Sequence, residues 1–78
     1  MNSVFFYNEN TNSYFAYRSN SNGTNMTVRF VPDKGNIFDI ELKQQDFINL
    51  LQESEIVNDE NDLARLYLLD FTEAIENA

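Results

Sequence analysis

The sequence predicts an α+β domain in which a four-stranded antiparallel meander is followed by two C-terminal helices packed on one face of the sheet. Residues 3–42 hold four short apolar and aromatic segments separated by turn residues. After Leu42, the spacing of apolar residues changes from two to about 3.6. The 78 residues contain no repeat and no linker. We therefore expect one domain, with a sheet over about 3–42 and helices over about 44–55 and 59–76.

The first two strands are predicted over residues 3–7 and 14–18, because both segments are rich in aromatic and β-branched residues. The polar residues 8–12 between them predict a short turn and hence a hairpin. Alternation leaves open which face of these two strands is buried, since apolar or aromatic residues point to both sides of each.

The third and fourth strands are predicted over residues 26–31 and 37–42, where apolar and polar residues alternate. Residues 32–36 include the Pro, Asp and Gly of a turn between antiparallel strands. The apolar face on which the helices would lie is predicted to contain Met26, Val28, Phe30, Phe38, Ile40 and Leu42. The opposite face is predicted to contain Thr27, Arg29, Asp39 and Glu41.

Both helices are predicted from apolar stripes at helical spacing. The first stripe contains Phe47, Leu50 and Leu51. The second is broader and contains Leu63, Ala64, Leu66, Tyr67, Leu68, Phe71, Ala74 and Ile75. The polar residues 58–62 indicate where the second helix starts, because their oxygens can accept hydrogen bonds from free backbone N–H groups and their negative charge suits the positive end of the helix dipole.

Composition excludes several kinds of chemistry. The chain has no Cys and no His, so disulfides, thiolate zinc sites and His-based triads are excluded. Asp59, Glu60 and Asp62 lie in a polar helix start, which indicates capping rather than the desolvated pocket of a general acid. The two glycines are too far apart for a phosphate-binding loop. We therefore expect no enzymatic activity, no catalytic residue, no cofactor and no metal site.

The hydropathy pattern indicates a soluble protein. No apolar run approaches the ~18 residues of a membrane span. Residues 1–8 lack the basic start and apolar middle of a signal peptide. We therefore expect a cytoplasmic protein without membrane contact.

Net charge is unevenly divided along the chain. Residues 1–38 contain three bases and two acids, a net charge of +1, whereas residues 39–78 contain two bases and eleven acids, a net charge of −9. Because contacts with phosphates need clustered Lys and Arg, direct binding of nucleic acid by the C-terminal half is disfavoured. This distribution favours a basic protein partner.

The acids of the C-terminal half lie on the predicted helices and their connection. This small, Asn-rich, Cys-free, acidic α+β chain resembles the inhibitors encoded by bacteriophages and mobile elements, including anti-CRISPR proteins and other DNA mimics. The resemblance implies a non-enzymatic inhibitor of a basic nucleic-acid-handling protein, such as a CRISPR effector or another defence nuclease, acting in the host cytoplasm. We expect its partner-binding residues to be Glu53, Glu55, Asp59, Glu60, Asp62, Leu69, Glu73 and Glu76.

Two other functions stay open. In one, the chain is a structural or homo-oligomeric accessory protein whose charge serves only solubility. In the other, it binds single-stranded nucleic acid through an aromatic sheet face, with Tyr7, Tyr14 or Tyr17 beside Arg18 and Arg29. The strand-into-helix pattern over residues 40–51 also resembles single-stranded-DNA-binding transcriptional coactivators and Pur-type folds. The sheets of those families are basic, whereas this chain has a net charge of −8.

Two residues of the second helix give separate predictions. Leu69 lies on the polar side of the helix, so we expect a homodimer or partner contact that includes it. Asp70 falls inside the apolar arc, where an unpaired carboxylate is costly. It should lie at the wet edge of the arc or pair with a base, for which the choices are Arg18, Arg29, Lys34 and Lys43.

Overall fold

The computed structural model describes residues 4–20 and 23–68, and for residues 67 and 68 only the backbone. The fold is α+β, with one antiparallel sheet and two helices. The elements are β1 (Phe6–Asn8), β2 (Ser13–Ser19), β3 (Asn25–Pro32), β4 (Phe38–Lys43), α1 (Gln44–Gln52), β5 (Glu55–Ile56) and α2 (Glu60–Leu68). The strand order is β4-β3-β2-β1-β5, so the predicted meander of the first four strands is confirmed.

The register confirms the predicted sorting of side chains on β3 and β4. Met26 pairs with Leu42, Val28 with Ile40, and Phe30 with Phe38, so these six side chains share one face. Arg29 pairs with Asp39, and Thr27 pairs with Glu41, on the other face. The turn between the two strands contains Gly35 at a φ of 107°, a conformation that L-residues with a side chain rarely adopt.

The sheet contains a fifth strand that the sequence does not predict. β5 pairs with β1, with Phe6 opposite Ile56 and Tyr7 opposite Glu55. Helix α1 ends before it, because the Ser54 hydroxyl donates a hydrogen bond to the Leu50 carbonyl oxygen at 2.5 Å. The predicted end of the first helix at residue 55 is therefore wrong, and Glu55 lies in a strand.

The two helices lie on opposite faces of the sheet, so the prediction that both pack on one face is wrong. Phe47 of α1 belongs to a core cluster with Phe15, Val28 and Phe30. Leu66 of α2 belongs to a second core cluster with Phe5, Ala16 and Val31. Phe15 and Ala16 are consecutive in β2 and therefore point to opposite faces.

The physical reason for this arrangement lies in the first two strands. Their aromatic and apolar residues point to both sides of the sheet, so each face must be covered. Helix α1 covers the face of Phe15 and Tyr17, and the Tyr17 ring contacts the Phe47 ring with centroids 4.5 Å apart. Helix α2 covers the face of Phe5 and Ala16, and Phe5 is fully buried there. Full burial of a side chain of this size contributes about 2–3 kcal/mol.

The predicted second helix extends beyond the part of the chain that the structure describes. Leu69, Asp70, Glu73 and Glu76 lie outside the described residues, and so do the predictions made for them. Within residues 4–20 and 23–68, no helix has the length and apolar character needed to cross a membrane.

Candidate functional site

An open, shallow groove lies between the edge of the sheet at β5 and the start of α2. Its volume is about 240 Å³. It is lined by Tyr7, Tyr14, Glu55, Ile56, Val57, Asn58, Asp59 and Asp62. The groove thus combines two tyrosine rings with three carboxylates, and its lining contains no basic residue.

The two tyrosines are brought together by strand pairing. Tyr7 of β1 lies opposite Tyr14 of β2, and their rings meet edge to face with centroids 4.7 Å apart. The Tyr7 hydroxyl donates a hydrogen bond to Asp33 Oδ2 at 2.9 Å. On the other side, the Arg65 guanidinium lies 5.1 Å from the centroid of the Tyr14 ring. These contacts fix the orientation of the Tyr14 ring within the groove.

The three carboxylates come from two adjacent segments. Glu55 enters the groove because β5 pairs with β1 and places it opposite Tyr7. Asp59 caps α2, since its Oδ1 accepts hydrogen bonds from the backbone N–H groups of Asn61 at 2.9 Å and Asp62 at 3.0 Å. This confirms the predicted capping at the start of the helix. The Asp62 carboxylate in turn lies 3.6 Å from the Arg65 guanidinium, and both side chains are exposed.

The electrostatics of the groove follow from its neutral phenols and charged acids. The hydrogen bond to Asp33 raises the pKa of Tyr7, and desolvation adds to the rise. Burial raises the pKa of Tyr14, the Asp62 carboxylate raises it further, and Arg65 opposes this rise. Both phenols are therefore neutral at pH 7, and the charge of the groove comes from its carboxylates.

The structure brings three of the predicted partner-binding residues together in this groove, namely Glu55, Asp59 and Asp62. Glu53 and Glu60 are exposed nearby, at the ends of α1 and α2, without lining it. The remaining predicted residues, Leu69, Glu73 and Glu76, lie outside the described residues.

The residues weighed for nucleic-acid stacking do not assemble on one open face. Tyr17 packs against Phe47 on the face of α1, whereas Tyr7 and Tyr14 lie on the face of α2. Arg29 forms a bidentate pair with Asp39, with nitrogen–oxygen distances of 2.5 and 2.7 Å. Both faces of the sheet are covered by a helix, so the tyrosines do not form a continuous stacking platform.

Asn8 supports the groove and was missed from the sequence. Its side chain is only 1% exposed. Its Nδ2 donates hydrogen bonds to Ser54 Oγ at 2.9 Å and to the Glu53 carbonyl oxygen at 3.5 Å, and its Oδ1 accepts one from the Thr11 amide at 3.0 Å. These bonds hold the chain that enters β5 and so position Glu55. In the sequence, an Asn before a polar turn indicates only the end of the strand.

The carboxylates of the groove are not arranged as a metal site. Among the described residues, no three acidic side chains converge closely enough to hold a metal ion. Their spacing instead leaves room for a larger cationic group between the acids and the tyrosine rings.

In comparisons with known proteins, no family model, no curated protein and no solved structure matches this chain. Its function is therefore inferred from the charge, shape and composition of the groove.

Proposed function

We propose that this protein is a non-enzymatic inhibitor that binds a basic nucleic-acid-handling protein, with a CRISPR effector or a comparable defence nuclease as the class of target. The main support is the groove that joins Glu55, Asp59 and Asp62 to the rings of Tyr7 and Tyr14. It lies on a chain with a net charge of −8.

The chemistry of the groove suits an arginine or lysine side chain of the partner. Carboxylates form charge-assisted hydrogen bonds with guanidinium and ammonium groups, and tyrosine rings attract the same cations through their faces. At about 240 Å³ and open to solvent, the groove is smaller than the ~300–1,000 Å³ typical of small-molecule pockets. Its size and shape favour individual side chains from a protein surface over an enclosed substrate.

The surrounding charge favours competition with nucleic acid. The acids of the C-terminal half accompany the groove, and residues 39–78 have a net charge of −9. A basic groove that binds phosphates offers the complementary potential, which accelerates association. In this proposal, the carboxylates of β5 and α2 occupy positions that phosphates would otherwise take.

The test compares two double variants that remove the same charge. Glu55→Gln with Asp62→Asn changes the groove, whereas Glu9→Gln with Asp46→Asn changes exposed acids elsewhere. Binding to a panel of purified defence nucleases is measured by surface plasmon resonance, together with displacement of their nucleic acid. We expect the groove variant to bind the target at least about tenfold more weakly and the control to bind within about threefold of the unmodified protein.

Equal weakening by both double variants would show that binding depends on net charge alone. Normal binding by the groove variant would show that the groove is not the interface. Either result would contradict the proposal as stated.

A further inference from the structure

The edge of the sheet opposite the groove is formed by β4. It is the outermost strand of the order β4-β3-β2-β1-β5, and no strand from the described part of the chain pairs with its outer side. β4 is six residues long, Phe38–Lys43. A strand of this length presents unpaired backbone groups to which another extended segment can bond.

One face of this edge is apolar and exposed. Phe38 is 45% exposed and Ile40 is 40% exposed, although both point to the same side as α1. Helix α1 begins at Gln44, directly after β4, and the chain that follows it contacts Asn8 of β1. The helix thus crosses the sheet away from β4 and leaves the two side chains at the margin.

The other face of the edge is acidic. Asp39 and Glu41 are both exposed there. Asp39 is held by Arg29 of the neighbouring strand, and Glu41 accepts a hydrogen bond from the Asn20 side chain. Both carboxylates are thereby kept on the α2 face of the edge strand, beside any segment that pairs with it.

We infer that the β4 edge binds an extended partner segment in which apolar and basic residues alternate, as a sixth strand of the sheet. In such a segment, the apolar side chains would lie beside Phe38 and Ile40. The basic side chains would lie beside Asp39 and Glu41, where opposite charges on paired strands are stabilising. The backbone of the segment would bond to the outer side of β4.

A second copy of this chain fits the edge less well. If two β4 strands pair around a two-fold axis, a register centred on Ile40 places Asp39 of each copy opposite Glu41 of the other. Registers centred on Asp39 or on Glu41 place each of these acids opposite itself. Like charges directly opposite each other destabilise paired strands. The charges of β4 therefore favour a basic segment over self-association.

This inference is independent of the proposed function, because β4 and the groove lie at opposite edges of the sheet. The β5 edge differs from β4 in length, with only two residues in the strand. An occupied β4 edge would leave the groove accessible, so the two surfaces can be tested separately.

The test uses capped six-residue peptides as probes. One peptide alternates valine and lysine, and the other alternates valine and glutamate. Titration followed by nuclear magnetic resonance of the isotope-labelled protein measures the affinity and locates the binding site. We expect the lysine peptide to bind about tenfold more tightly than the glutamate peptide and to shift the amide signals of residues 38–43.

Two further peptides separate strand pairing from charge attraction. Both keep the valine–lysine sequence, but one is N-methylated at its valines and the other at its lysines. Because alternate N–H groups of an added strand point toward β4, one methylated peptide should lose binding and the other should keep it. Equal binding of the two methylated peptides, or shifts confined to the groove, would overturn the inference.

A pair of protein variants provides the matched control. Ile40→Lys places a charge on the β4 edge, whereas Ile56→Lys places one on β5, where the isoleucine is 54% exposed. The lysine peptide should lose binding to the first variant and retain it with the second. If sedimentation shows a dimer that Ile40→Lys dissociates, a second copy occupies the edge and the inference is wrong.

Discussion

At the scale of single residues, Asn8 shows how one buried amide can hold a surface in place. It lies at the end of β1 and bonds both to Thr11 in the following turn and to Ser54 before β5. These partners are far apart in sequence, and the bonds bring them together without any apolar contact. The position of Glu55 in the groove therefore depends on a residue that does not line it.

We predict that Asn8→Ala lowers the free energy of unfolding by about 1–3 kcal/mol, because its buried hydrogen-bond partners lose their bonds. Urea denaturation measures the loss, and Asn10→Ala serves as the control because Asn10 is exposed in the same turn. Equal stability of both variants would show that water replaces the amide of Asn8 without cost.

The pair formed by Arg29 and Asp39 predicts a pH dependence of stability. The hydrogen bonds from Arg29 hold the pKa of Asp39 below its ordinary value of about 3.9, against an opposing contribution from partial burial. The stabilisation is therefore complete above the ordinary pKa and is lost as the pH falls through the lowered pKa of the folded state.

Asp39→Asn should consequently cost about 0.5–1 kcal/mol at pH 7, a modest value because the Asp39 side chain is 34% exposed. The cost should shrink as the pH falls below about 3, where the unmodified carboxyl is protonated as well. Urea denaturation at pH 7, 5 and 3 tests this. A cost independent of pH would contradict an electrostatic origin.

At the scale of elements, the start of α2 serves two purposes. Asp59 satisfies two backbone N–H groups of the helix and also lines the groove. A single substitution can separate these purposes, because asparagine keeps the hydrogen-bond acceptor and removes the charge.

We predict that Asp59→Ala lowers the free energy of unfolding by about 1 kcal/mol, whereas Asp59→Asn stays close to the unmodified protein. Thermal unfolding followed by circular dichroism compares the two. If binding of a basic partner uses the charge of Asp59, the asparagine variant should bind more weakly despite its normal stability. Equal destabilisation by both changes would show that the charge, rather than the cap, supports the helix.

The elements could be predicted from sequence wherever a periodic pattern repeats. β3 and β4 were predicted within one residue at each end, since their alternation covers several residues. β5 could not be predicted, because Glu55 and Ile56 are too few to show a period and their strand exists only by pairing with β1. The face covered by α2 was also hidden, since β1 and β2 are apolar on both sides.

The candidate site could be predicted in part for similar reasons. Glu55, Asp59 and Asp62 were identified from the distribution of acids along the chain. The contribution of Tyr7 and Tyr14 could not be assigned to the same surface, because it depends on β5 joining the sheet beside β1. Long-range pairing, rather than local pattern, brings the tyrosines and the acids together.

At the scale of the whole molecule, the uneven charge distribution dominates how the protein meets a partner. The N-terminal half is close to neutral, and residues 39–78 have a net charge of −9. The groove contains acids from this half only. Association with a basic protein should therefore be steered toward the edge formed by β5 and the start of α2.

We predict that the dissociation constant of the complex with its basic partner rises by at least about tenfold between 50 and 300 mM salt, mainly through slower association. Surface plasmon resonance over a salt series measures both rates. A non-binding protein of similar charge should give no signal at any of these concentrations. An affinity unchanged by salt would contradict recognition through carboxylates.

The placement of the two helices on opposite faces has a dynamic consequence. The sheet separates the cluster around Leu66 from the cluster around Phe47, so α2 can detach while α1 and the meander stay folded. Such a local opening would remove Asp59 and Asp62 from the groove, and a partner bound there would oppose it. Amide hydrogen exchange in α2 should then slow on complex formation more than exchange in β3, which joins occupancy of the groove to the order of one helix.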